Sequence, residues 1–490
     1  MASLLTIPLE LLVAISSFLT TPDLGALRLT CKQVEKSLYE WFSKEFFTKK
    51  QFMLTYKSLQ AFVDISKHSS FSKMLSHVII ATDVYADKPL RFRDKEAAAL
   101  YTQGFQDQTT LLNTGVDREM LTEAFMNLKN LQTVGIRDFN NHERARDGKN
   151  ASWSSWGSPT VHRETGIALQ FTERFPHSPQ HTVEFLARVF QNLIYSLGKA
   201  NQTPAELEVL LRHHSLPDSA FDVPEFLYPS LGPVLAGLKK LLLRVETSSE
   251  RTHHTHTIGT ASETVSVRLL RRFLGLTSNL EHLRLNLPRH EHEFKEQFLK
   301  WLALPASTPT AEPDFFDPPP VSLSCLTKLE LGQFQTYPNT ILDVVQRLTP
   351  TLRRLELWKI TLKDVYLARN HDSKPNFWKS FFTKLLKMPN LELDYLKVGM
   401  LRQDHMFVQF TDHGTEKGSA GHKVKQYTGK KMEEFLKELT EDVFVLWPQV
   451  VYGGDESGEN DDDEEMVDDD EGDDGDEDDG DEGDDDDDDE

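Results

Sequence analysis

The chain has 490 residues, 39% of them hydrophobic, enough for a large core or an extended array. Its two cysteines, Cys31 and Cys325, exclude a disulfide framework and leave no cysteine pair for a metal site, so the chain reads as soluble and intracellular, in cytoplasm or nucleus. The net charge of −23 is not a global property: residues 455–490 hold 27 acids and no base, which leaves 50 acids against 54 bases in the rest.

The first predicted element is an apolar helix. In Ile7-Pro8-Leu9-Glu10-Leu11-Leu12-Val13-Ala14-Ile15-Ser16-Ser17-Phe18-Leu19, the proline suits a first helical position, where a missing N–H goes unneeded. Only Glu10, Ser16 and Ser17 are plainly polar, so apolar side chains occupy nearly the whole circumference. A helix of that kind is normally buried on most sides. Thr20-Thr21-Pro22-Asp23 then reads as the start of a second helix, with an acid in its first turn. Val34, Leu38, Trp41, Phe42 and Phe46 come next at helical spacing as a third. Three short helices in about 40 residues make only a marginal core, so a partner polypeptide is the economical cover for the first. A signal peptide is disfavoured because no Lys or Arg precedes Arg28, and a membrane span because the run is short and interrupted.

The order Ile7-Pro8-Leu9-Glu10-Leu11-Leu12, Ile15, Phe18-Leu19, Asp23-Leu24, Leu27-Arg28-Leu29-Thr30-Cys31-Lys32 resembles the F-box in its fungal form. The segments Phe46-Phe47-Thr48-Lys49-Lys50-Gln51-Phe52 and Ser72 through Ile80 are similar to the stretch immediately C-terminal to the motif in that family. Val34 departs from it, since many F-boxes carry an aromatic residue there. The resemblance implies that the helices dock on a Skp-family adaptor, which joins them to cullin and RING proteins. Ile7, Pro8, Leu11, Ile15, Leu24, Leu27 and Leu29 are the adaptor-binding candidates; the sequence does not separate docking positions from core positions.

After a predicted helix over 57–73, the form apolar-x-x-apolar-x-apolar recurs. It appears at Leu75-Val78-Ile80, Leu131-Val134-Ile136, Leu238-Leu241-Leu243, Leu280-Leu283-Leu285, Leu326-Leu329-Leu331, Leu352-Leu355-Leu357 and Leu393-Leu396-Val398, with a looser Leu207-Val209-Leu211. Helical patterns over 181–199, 263–276, 291–302, 340–348 and 377–387 lie between these strands. A last one over 430–439, with Val443-Phe444-Val445-Leu446-Trp447-Pro448 behind it, is expected to cap the array.

This interleaving resembles an irregular leucine-rich-repeat array, although most spacings exceed the usual repeat and the asparagine ladder is absent. The expected fold class is therefore α/β. An F-box over 1–47 precedes an irregular leucine-rich-repeat-like solenoid over 48–452, with inserts near 140–166, 246–262 and 305–320. Residues 453–490, almost devoid of apolar side chains, are expected to be disordered.

No phosphate-binding, dinucleotide-binding, nucleophile-elbow or metalloprotease motif occurs. His253-His254 with His256, His213-His214, and His290 with His292 lack a set of four ligands at fixed spacing. No catalytic, cofactor or metal residue is nominated, and the protein is not expected to be an enzyme. The resemblance implies the substrate-recognition subunit of a Skp–cullin–F-box ubiquitin ligase, whose repeat region binds an unidentified protein target. The alternative is a nuclear acidic-tail protein or chaperone for basic clients such as histones. Neither reading calls for a membrane or for direct contact with nucleic acid.

Overall fold

A computed structural model describes residues 7–86, 90–140, 147, 154–171, 179–246, 267–288, 292–306, 318–363, 374–411 and 421–447. The acidic tail and the triad His253, His254 and His256 fall outside these residues.

Three helices open the chain: α1 (Leu9–Ser17), α2 (Thr21–Thr30) and α3 (Lys32–Phe47), the last receiving the other two. From there ten five-residue strands form one sheet. They are β1 (Lys49–Met53), β2 (His77–Ala81), β3 (Thr133–Arg137), β4 (Glu206–Leu210), β5 (Lys240–Arg244), β6 (His282–Asn286), β7 (Lys328–Gly332), β8 (Arg354–Trp358), β9 (Tyr395–Gly399) and β10 (Val424–Thr428). Spatial order follows chain order, and every pair is parallel except β9 with β10. All eight strands expected from the leucine pattern are present.

The pattern is explained by register. In Leu-x-x-Leu-x-Leu the first leucine precedes its strand, and the other two occupy its second and fourth positions, which share one face. Leu280, Leu283 and Leu285 are each 0% exposed, and Leu352, Leu355 and Leu357 repeat this. Over that face lie α4 (Tyr56–Lys67), α5 (Lys95–Thr114), α6 (Val116–Asn127), α7 (Pro179–Lys199), α8 (Tyr228–Gly237), α9 (Arg268–Gly275), α10 (His292–Ala303), α11 (Pro338–Leu348), α12 (Phe377–Leu386) and α13 (Met432–Asp442), many packing on their neighbours. Each parallel crossover thereby buries the stripe of its own helix.

Side chains of one repeat hold the helix of the next. Asp218 accepts from the backbone N–H groups of Leu269 (3.1 Å) and Leu270 (2.9 Å) at the start of α9. Buried Glu296 on α10 accepts from the hydroxyls of Thr336 (2.6 Å) and Thr340 (2.5 Å) around the start of α11. Such acceptors satisfy donors that a helix start leaves unpaired or add to its first-turn charge. Asp138, 0% exposed, takes the N–H groups of Arg212, His213 and His214 at 2.7, 2.9 and 3.1 Å. His213-His214 is thus part of a turn held by a carboxylate. Among the described residues no group of His, Cys, Asp and Glu is arranged to hold a metal, and no helix is long and apolar enough to cross a membrane.

In the last three parallel repeats, the residue after the strand takes a positive φ: Gln333 (60°), Lys359 (53°) and Met400 (52°). This turn redirects the chain into a second, short ladder, Gln335–Thr336 beside Thr361–Leu362 beside Arg402–Gln403. The helix expected over 57–73 stops at Lys67, because His68 is extended (ψ 130°), and resumes as one turn at Phe71–Met74. Residues 154–166, within the first insert, return to the sheet edge. Trp156 N–H bonds to Gln51 O (2.8 Å), and Gln51 Nε2 donates to Ser155 Oγ (3.0 Å).

Candidate functional site

The N-terminal unit is built by its capping residues. Pro8 sits one position earlier than expected, as the N-cap of α1 with ψ 148°, and its carbonyl accepts the Leu12 N–H at 3.0 Å. Thr20 caps α2, accepting from Asp23 N–H (3.3 Å) and donating to Asp23 Oδ2 (2.7 Å). Asp147 also receives the Thr21 N–H and hydroxyl at 2.6 and 2.7 Å. Cys31, extended at φ −162°, separates α2 from α3.

Packing then divides the adaptor-binding candidates. Leu24 is 0% exposed and sits in the core with Leu12, Val34 and Leu38. Of the two uses open to the seven candidates, docking and core, Leu24 takes the core one: a fully enclosed side chain holds α2 in place. Ile7 and Leu27 are half-buried, while Pro8, Leu11, Ile15 and Leu29 are exposed. Leu11 is 56% exposed, Ile15 47%, and Phe18, absent from the seven candidates, 87%. Their spacing of four and three residues places them on one side of α1, about a third of a turn round from the buried Leu12 and Ser16. Leu29 on α2 is 88% exposed. Single exposed leucines are ordinary on protein surfaces, but a helix apolar both inward and outward has an uncovered face. The apolar run itself could have identified Phe18, since the sequence places it one turn after Ile15.

No free linker separates this unit from the sheet. Helix α3 ends at Phe47 and β1 begins at Lys49. Phe47 stacks on Phe71 with ring centroids 3.9 Å apart, and Phe42 on Phe46 at 4.6 Å. The Arg28 guanidinium lies 3.5 Å from the Phe42 centroid and 3.9 Å from Glu35, fastening α2 to α3. The three helices are therefore continuous with the first repeat.

The second candidate surface is the sheet face away from the helices, formed by strand positions one, three and five. On β1 to β4 it is closed: Gln51, Ile79 and Glu208 are at most 8% exposed. Charges there are matched internally. Lys240 meets Glu208 at 2.9 Å and Glu206 at 3.6 Å. Glu208 also crosses the bare Gly135 to within 3.7 Å of His77 Nε2. Burial holds the His77 pKa down at about 3 against the pull of Glu208. At neutral pH that contact is accordingly no ion pair, and Lys240 is what overcomes burial to keep Glu208 below the usual carboxylate range. Toward the other end, Glu330 gathers His282 (2.6 Å), Lys328 (2.9 Å) and Arg284 (3.4 Å). Burial opposes its ionisation, yet these donors bring its pKa to about 2. No set of groups here resembles a nucleophile with its base.

No family model and no curated protein matches the chain. Among solved structures, the crystal structure of the Rad7 and Elc1 complex in yeast is similar at 11% identity, over 80% of this chain and 86% of that one, with a TM-score of 0.24. So low a score carries no argument about this chain's fold or partners.

Proposed function

We propose that the chain is a non-catalytic substrate receptor of a Skp–cullin–F-box ubiquitin ligase. Its N-terminal helices bind the adaptor, and its repeat region binds a protein target. The observation that carries this reading is the outward apolar row Pro8, Leu11, Ile15 and Phe18 on a helix that already packs inward through Leu12 and Ser16. Such a row gains by burial against a partner, at roughly 1.5–3 kcal/mol for each large side chain fully covered. The motif order in the first 32 residues resembles the F-box, and that resemblance is what supports a Skp-family protein as the partner. Direct continuity of α3 with β1 supports a scaffolding role, because a bound target is then held at a set distance from the adaptor, raising its local concentration near the ubiquitin-loaded enzyme. On this reading the protein works in cytoplasm or nucleus and needs no cofactor.

The rival reading, a carrier of basic clients through the acidic tail, leaves that row without a use. Co-purification with a Skp-family adaptor separates the two. Pro8→Ala with Leu11→Ala should weaken capture, each residue contributing ~2 kcal/mol if it is an anchor. Unchanged capture by the double variant, or capture that depends on residues 455–490, refutes the proposal.

A further inference from the structure

The face away from the helices is closed over the first four strands and opens toward β8, β9 and β10. There Arg354, Val424, Gln426 and Thr428 are exposed, and Glu356, Trp358, Tyr395 and Lys397 half-exposed. Its charge is unbalanced. Strands β6 to β9 present four permanent cations on this face, Arg284, Lys328, Arg354 and Lys397, against two carboxylates, Glu330 and Glu356. Both carboxylates are committed, Glu330 to His282, Lys328 and Arg284, and Glu356 to Lys328 at 3.1 Å. Arg354 has only a loose contact with Asp394, 3.7 Å apart with both side chains more than half exposed, a pairing worth little in water. Among the described residues Lys397 has no carboxylate within ion-pair distance. The wider sequence agrees: residues 1–320 hold 35 bases and 35 acids, whereas residues 321–454 hold 19 bases and 15 acids.

Aromatic rings hold these two cations in place. The Lys397 ammonium lies 5.5 Å from the Trp358 centroid, and the Arg354 guanidinium 6.0 Å from that of Tyr395. Trp358 lies across the neighbouring strand because Gly399 has no side chain; a Cβ there would clash with the ring. A ring orients a cation while leaving its N–H donors unsatisfied, unlike a carboxylate. The result is an indole platform with two underused cations beside it, near the end of the sheet.

We propose that Arg354, Trp358, Tyr395 and Lys397 form a docking surface for an extended acidic segment of a partner protein, with an aromatic or aliphatic side chain of that segment seated on Trp358. This deepens the receptor reading by naming the chemistry of the target. Carboxylates supply what Arg354 and Lys397 lack, and the platform selects acidic segments that also carry an apolar anchor.

The test uses the full chain and a fluorescein-labelled twelve-residue Asp/Glu-rich peptide containing one Phe, read by fluorescence anisotropy, with a Lys-rich peptide of equal length beside it. The acidic probe should bind, more weakly as salt rises, and the basic one should not. Arg354→Glu with Lys397→Glu, and separately Trp358→Ala, should each weaken binding at least tenfold. Lys397→Gln, which disturbs the fold least, should give a smaller loss. Equal affinity in all variants overturns the proposal. So does a photo-crosslinker at position 424 that attaches to residues 455–490 of the same chain, since the occupant is then not a partner. Adaptor capture by the same variants should be unchanged, so loss of capture in the native chain counts against the receptor reading and not against this surface.

Discussion

Lowering the pH from 7 to 5 acts on two buried groups of the second repeat in opposite directions. His77 on β2 is desolvated and, despite Glu208, has its pKa held from 6.5 down at about 3, with Lys49, Arg137 and Lys240 adding to the depression. Its folded form stays neutral while the unfolded chain takes up a proton below 6.5, so stability is lost as pH falls through that value. Asp83, just past β2 and 2% exposed, is pushed by burial from 3.8 to about 6 although the Ser155 hydroxyl donates to it. Its folded form binds the proton first, so stability is gained as pH falls through 6. Between pH 7 and 5 linkage gives a loss on the order of 2 kcal/mol from His77 and a gain on the order of 1 kcal/mol from Asp83. In the native protein the two responses oppose each other and largely offset. His77→Gln should leave the gain and Asp83→Asn the loss, so the two variants diverge by roughly 3 kcal/mol over the same interval. The assay is amide hydrogen exchange of residues 76–84 at both pH values after correction for intrinsic rates, which reads local opening without assuming that 490 residues unfold in one step. Parallel pH responses in native protein and both variants would refute the reasoning.

Other substitutions test the division of residues between core and surface. Leu24→Ala should destabilise the N-terminal helices by about 2–5 kcal/mol, whereas Leu29→Ala should stay within ~0.5 kcal/mol in urea unfolding followed by circular dichroism. Asp138→Ala strips the three N–H groups of the 212–214 turn of their shared acceptor and should destabilise by about 1–3 kcal/mol for each one that water does not then reach. Faster hydrogen exchange at residues 212–214 should report it. Gly399→Ala forces the indole of Trp358 out of its position and should change the near-ultraviolet circular dichroism with little change in helix content.

Strands with two inward leucines, valines or isoleucines were legible because both positions face helices. β1 was not: Lys49-Lys50-Gln51-Phe52-Met53 has no such pair, since it lies at the sheet edge and Phe52 alone fills its inward core position. β10 was missed for a related reason. Its inward positions are Lys425, which pairs with Glu438 and Asp442 of α13, and Tyr427, which stacks on Phe435. The left-handed turns at Gln333, Lys359 and Met400 use no glycine and so left no sign in the sequence. Within the N-terminal unit the motif gave the apolar positions, but only packing separates enclosed Leu24 from bare Leu11. The cation and ring pairs of the open face depend on lateral register between β8 and β9, where Arg354 lies beside Tyr395 far along the chain, which no local pattern carries.

The central claim is that the outer side of α1 is left for a Skp-family adaptor to cover. Isothermal titration calorimetry of the full chain with that adaptor tests it most directly. The account predicts one-to-one binding with a negative heat-capacity change, as apolar burial requires, abolished by Leu11→Asp with Ile15→Asp while the variant's unfolding curve matches the native one. No binding by the native chain, or binding that the double variant retains, contradicts it.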